Sequence, residues 1–111
     1  MKEKDLERAF VKAVEKRGGL ALKFTVPGRR GAPDRLVLLP GGGHAFIEFK
    51  HPHGTGRVSK LQDRFMAQLE KLGHQTYLVR TSFDAVAVIL DLFPGEETLT
   101  AAANIASKRK R

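Results

Sequence analysis

Residues 31 to 50 read Gly31-Ala-Pro-Asp34-Arg-Leu-Val-Leu-Leu39-Pro-Gly41-Gly-Gly43-His-Ala-Phe46-Ile-Glu48-Phe-Lys50, and the rest of the chain can be placed from them. Arg35 to Leu39 carries the branched apolar residues that a buried strand favours. Gly41-Gly-Gly43 is a turn that unhindered backbone makes easily, and His44 to Lys50 reads as the returning strand. In such an antiparallel hairpin the start of one strand lies beside the end of the other, so Asp34 is expected next to Glu48 and Lys50. Strand side chains alternate, which puts Glu48 and Lys50 on one face and Ile47 and Phe49 on the other.

Two carboxylates at one point repel, and in a low dielectric one stays protonated unless a cation sits between them. A hard divalent cation such as Mg²⁺ or Mn²⁺ relieves that repulsion, because it takes oxygen ligands and keeps several waters. Bound there, it would activate water and stabilise charge on a phosphoryl group. Lys50 can orient or deprotonate the attacking water, or hold a phosphate oxygen. A lone E-x-K triplet is more often a salt bridge on a solvated face, with Asp34 merely capping the turn after Pro33. The convergence of three charged groups on one hairpin end is what points to phosphodiester chemistry.

Pro33-Asp34 followed by Glu48-Phe-Lys50 resembles the PD-(D/E)xK nuclease signature. More narrowly, Gly28-Arg-Arg-Gly31-Ala-Pro-Asp34-Arg35, the Glu48-Phe-Lys50 strand and Ser59-Lys-Leu-Gln62 resemble the VRR-NUC family, over most of the chain. The resemblance implies a single α/β domain of the restriction-endonuclease-like kind, with a mixed central sheet of about four strands flanked by helices in the order αβββαβα. It implies a Mg²⁺- or Mn²⁺-dependent DNA endonuclease in which Asp34 and Glu48 hold the cation and the Phe49 carbonyl is a further ligand. A glutamate on the first helix would join them: Glu7, with Glu3 as the substitute. Gln62 would position water or substrate. Small free-standing members are associated with branched DNA, including Holliday junctions, and a homodimer and a phage origin would suit. The competing readings are a non-catalytic DNA-binding or accessory module, and a repair nuclease acting on flaps or plain duplex.

At 111 residues the chain is long enough for one modest core. Its net charge of +8 suits a polyanionic partner. The absence of cysteine excludes disulfides, thiol catalysis and a cysteine-ligated zinc site. No apolar run is long enough to span a membrane, so a cytoplasmic protein with no membrane partner is expected. Residues 1–95 are expected to form the nuclease domain and 96–111 a flexible basic tail, whose Lys108-Arg-Lys-Arg111 ending adds salt-sensitive attraction to DNA.

In chain order, residues 3 to 17 read as an amphipathic helix with Leu6, Ala9, Phe10, Ala13 and Val14 on one stripe. Leu20 to Phe24 reads as a strand. Pro27-Gly-Arg-Arg-Gly31 is a basic loop whose Arg29 and Arg30 are placed to grip phosphates, with Gly28 and Gly31 allowing close backbone approach to DNA. Arg35 could join them or form a structural ion pair. Arg57 and Lys60 extend the positive surface, and His51 and His53 are a weak zinc pair. Ser59 is expected to cap a helix whose Leu61, Phe65, Leu69 and Leu72 face the sheet, with Met66 filling gaps. His74 to Arg80 reads as the fourth strand, joined through that helix and therefore parallel to its neighbour. Ser82 is expected to cap a last helix reaching about Leu92, whose apolar surface is the candidate dimer interface.

Overall fold

A computed structural model of the chain describes residues 2–50 and 60–95. The readings made for His51, His53, Arg57, Ser59 and the tail 96–111 lie outside the described residues. Among the described residues three helices and four strands follow in the expected order: α1 (Glu3–Lys16), β1 (Leu20–Lys23), β2 (Arg35–Leu38), β3 (His44–Phe49), α2 (Lys60–Lys71), β4 (Thr76–Val79) and α3 (Ser82–Leu92). The sheet runs β1-β2-β3-β4. Its first two steps are antiparallel, and β3 pairs parallel with β4 after the crossover through α2. Among the described residues no helix is long and apolar enough to cross a membrane.

The hairpin registers as its sequence dictates, with Arg35 opposite Ile47 and Leu38 opposite His44. Gly41 and Gly42 turn its corner at φ +90° and +101°, which side chains with a Cβ rarely adopt. The ladder continues past β1 and β2, where the Phe24 amide donates to the Asp34 carbonyl at 3.0 Å.

Alternation along the strands sorts two cores onto opposite faces. On one, Val37, Ala45, Ile47, Phe49 and Val79 meet Leu6, Phe10 and Val14 of α1 and Val88, Ile89 and Leu92 of α3. Phe10 and Phe49 pack edge to face, 5.5 Å between centroids, an arrangement worth roughly 1 kcal/mol beyond the area it buries. On the other face Phe46, Phe65 and Leu69 form a smaller cluster under α2, flanked by Phe24, Leu36 and Met66. β3 is covered on both sides and buries every residue from Ala45 to Phe49, Glu48 included.

Two expectations are corrected. Leu61 and Leu72 do not face the sheet: they are 44% and 74% exposed. Leu61 lies in the first turn of α2, and Leu72 follows its last residue, so only the middle of the helix rests on strands. The cap of α3 is Thr81, not Ser82, which is buried inside the first turn. The Thr81 hydroxyl accepts from the Asp84 amide at 3.1 Å, and the Asp84 carboxylate accepts from the Thr81 amide at 3.1 Å. That reciprocal box needs an acid three residues on, which Thr81 has and Ser82 lacks. At the sheet end remote from Glu48, the His44 and His74 rings share a hydrogen bond of 2.9 Å.

Candidate active site

The hairpin brings Asp34 and Glu48 together through the backbone of each other's strand. The Asp34 amide donates to Glu48 Oε1 at 3.1 Å, and the Phe49 amide donates to Asp34 Oδ2 at 2.8 Å. Each carboxylate is therefore fixed by a main-chain group that the strand pairing holds still. Glu48 Oε2 receives the Gln62 side-chain amide at 2.7 Å and lies 3.2 Å from Lys50 Nζ. Lys50 follows Glu48 by two residues on the same face, and Gln62 comes down from the first turn of α2. Sequence-expected Asp34, Glu48, Lys50 and Gln62 thus meet at one point.

The electrostatics at this point are unfavourable for a second charged carboxylate. Glu48 is 2% exposed. Burial, and then the Asp34 charge beside it, push its carboxyl up from the ordinary 4.5 to about 7, while Lys50 pulls the other way. A buried acid left in that condition is costly, and a hard divalent ion between the two carboxylates removes the cost. The donor set fits such an ion. Among the described residues no three acidic or histidine side chains converge. The ion would therefore take two carboxylates, a main-chain oxygen such as that of Phe49, and water, a balance that suits Mg²⁺ because it dehydrates reluctantly.

Glu7 is not part of this cluster. Its carboxylate accepts from Arg35 Nε at 2.7 Å, and the Arg35 guanidinium also donates to the Ala21 carbonyl at 3.0 Å. Arg35 pairs with Ile47 and points to the face that α1 covers, whereas Glu48 points to the α2 face. Strand alternation thus turns Glu7 and Glu48 to opposite faces and gives Arg35 a structural ion pair. Glu3, the substitute, is half-buried at the first residue of α1.

The basic loop lies against α2. A Cβ on Gly31, at φ +88°, would sit 2.6 Å from the Leu61 carbonyl carbon and 2.8 Å from the Gln62 nitrogen. Gly31 therefore serves close approach to α2, the contact that seats Gln62, where approach to DNA was expected. Arg29 donates to the Gln68 side chain and lies 4.0 Å above the Phe65 ring. Arg30 is exposed beside it, and Lys60 is exposed at the start of α2. Arg29 and Arg30 share a groove with Arg64 and Lys71, two cations that the sequence reading passed over. Their signal was available: they stand two helical turns apart, on the flank of α2 opposite Asp63 and Glu70.

A solved structure described as a VRR_NUC domain has the same fold, with a TM-score of 0.72 and 31% identity, covering 78% of this chain and 92% of that one. The protein titled "Putative nuclease p44" from Acyrthosiphon pisum secondary endosymbiont phage 1 is 43% identical over 79 residues, 71% of this chain and 83% of that protein. No family model matches the chain.

Proposed function

This chain belongs to the VRR-NUC domain family, and we propose that it is a metal-dependent endonuclease that hydrolyses DNA phosphodiester bonds, selecting branched structures such as Holliday junctions. The observation that carries the reading is the buried Glu48 carboxylate beside Asp34, with Lys50 and Gln62 both aimed at it. Asp34, Glu48 and the Phe49 carbonyl would hold Mg²⁺ or Mn²⁺, which when bound supplies Lewis acidity to the water and the scissile phosphate.

The remaining work belongs to the side chains. Lys50 keeps its ammonium 3.2 Å from Glu48 Oε2, from where it would orient the nucleophilic water or hold a phosphate oxygen. Gln62 fixes the Glu48 carboxylate in one orientation, so the ligand geometry is set before substrate arrives. Arg30, with Arg29 and Lys60, grips the phosphate backbone, and the basic residues beyond 95 add sequence-independent attraction. One such centre cuts one strand, so paired cuts in a junction call for a homodimer of two-fold symmetry. The cytoplasm, where a phage relative's host keeps its DNA, is the setting that goes with this activity.

The test is cleavage of labelled four-way junction, flap, duplex and single-stranded DNA with Mg²⁺ or Mn²⁺, using wild type, Lys50→Ala and Asp34→Asn. Symmetric paired cuts in the junction, absent from both variants, are the expected result. Cutting of flaps or duplex in preference would keep the nuclease and remove junction selection. Intact binding with no metal-dependent cleavage of any substrate would make the protein a binding module.

A further inference from the structure

One face of α2 and the loop before Asp34 form a groove whose lining includes Arg29, Arg30, Arg64 and Lys71 and no carboxylate. The helix sorts its charge to make this so. Leu61, Arg64, Gln68 and Lys71 fall on one flank at helical spacing, while Asp63 and Glu70 fall on the other. Glu70 is committed there, accepting from the Thr76 hydroxyl at 2.8 Å. The ion pairs Arg35–Glu7 and Lys50–Glu48 lie outside the groove and do not engage its cations. Four positive groups held together with no carboxylate among the described residues of the lining repel one another, and a polyanion lying between them removes that repulsion.

The groove is also fixed in shape. Arg29 spans its two walls, bonded to Gln68 and stacked on Phe65. Gly31 brings the loop backbone against Leu61 and Gln62 with no room for a side chain. Leu61 lines one end of the groove, and the next residue, Gln62, bonds Glu48. The far end is Lys71. From Gln62 to Lys71 the helix rises about 13 Å, close to four base-pair steps of a DNA strand.

We propose that the cut strand leaves the Asp34–Glu48–Lys50 centre along this flank of α2, with Arg64 and Lys71 holding the phosphates beyond those gripped by Arg30. The assignment rests on the nuclease reading given above. Arg64 can fork onto one phosphate, and Lys71 acts as a point charge at the outer end. Because both contacts are to phosphate, they lengthen the footprint without adding sequence preference.

The experiment uses the full chain carrying Asp34→Asn, so that binding to labelled junction and duplex DNA is read without cleavage, by fluorescence anisotropy across a salt series. Adding Arg64→Gln and Lys71→Gln is expected to weaken binding by about tenfold or more near physiological salt and to lower the salt slope by about 2, one for each lost phosphate contact. In the otherwise wild-type enzyme the same pair should raise KM and leave kcat near its starting value. The comparison pair is Lys4→Gln with Lys12→Gln, exposed on α1 and away from the groove, which should change neither slope nor KM. An enzyme that binds and cuts with unchanged slope and KM after loss of Arg64 and Lys71 overturns this path while leaving the nuclease standing. A wild-type protein that neither binds nor cuts DNA overturns both.

Discussion

Gln62 donates its side-chain amide to Glu48 Oε2 at 2.7 Å, tying the first turn of α2 to the central strand at the one buried charge among the described residues. Outer partners of this kind orient a metal-binding carboxylate, and their loss commonly costs ten- to a hundredfold. Gln62→Leu is expected to lower single-turnover cleavage by about that factor and to raise the Mg²⁺ concentration needed for half-maximal rate. A Mg²⁺ titration of both proteins checks it. An unchanged metal requirement would remove Gln62 from the site.

Glu48 carries a penalty in the metal-free fold. Its folded pKa of about 7 lies above the ordinary 4.5. The folded state therefore binds more protons than the unfolded state between those values, and stability falls as pH rises through that window. Glu48→Gln is expected to abolish cleavage and, in EDTA at pH 8, to melt higher than wild type, with the gap closing toward pH 5. Adding Mg²⁺ should raise the wild-type Tm and leave that of the variant unmoved. Thermal melts by circular dichroism at the two pH values decide it.

Gly31→Ala strains the chain twice, through a positive φ and through a Cβ only 2.6 Å from the Leu61 carbonyl carbon. Strain of this kind costs about 1–3 kcal/mol, and relief requires α2 to move away from the loop, carrying Gln62 with it. The variant should lose stability by roughly that amount and lose cleavage more than its folded fraction accounts for. Urea melts and initial rates, measured side by side, separate the two effects.

Tyr77 is the single tyrosine, and the chain has no tryptophan, so absorbance near 295 nm reports one phenol. Burial, and then the Asp91 carboxylate to which it donates, push that phenol up to about 12. Its contribution to stability is complete below pH 10 and is lost as pH rises toward 12. Asp91→Asn should bring the spectrophotometric midpoint back toward 10, the ordinary value. A midpoint that stays put would mean burial alone sets it.

The hairpin was legible in the sequence because period-two patterning, a glycine turn and the E-x-K spacing all point to one register, and that register alone places Asp34 against Glu48. The crossover helix and the parallel β4 followed from connection length and handedness. What the sequence did not place needed the second layer. Glu7 sits well for reaching the hairpin along the chain, but which face α1 covers decides that it meets Arg35. Leu61 and Leu72 keep the helical period, yet a short sheet supports only the two turns between them. Thr81 and Ser82 are both ordinary caps, and the acid at position 84 was the discriminating signal. Gly31 was read against DNA because the groove between loop and α2 exists only once the helix is docked.

Among the described residues the two faces of the sheet are unequally loaded: α1 and α3 share one, and α2 is the helix on the other, with Phe65 and Leu69 as its buried anchors. With two buried side chains where α1 and α3 have five each, α2 is the described helix expected to open most easily. When it lifts, Gln62 leaves Glu48 and the cationic groove falls apart, while the hairpin with both carboxylates remains folded. Cleavage would then follow this local equilibrium before the global one. Mild heat or denaturant would silence the protein reversibly before its sheet is lost, and amide exchange would find residues 60–71 unprotected first. Changes that tighten this one helix could raise the working temperature without touching a single reactive group.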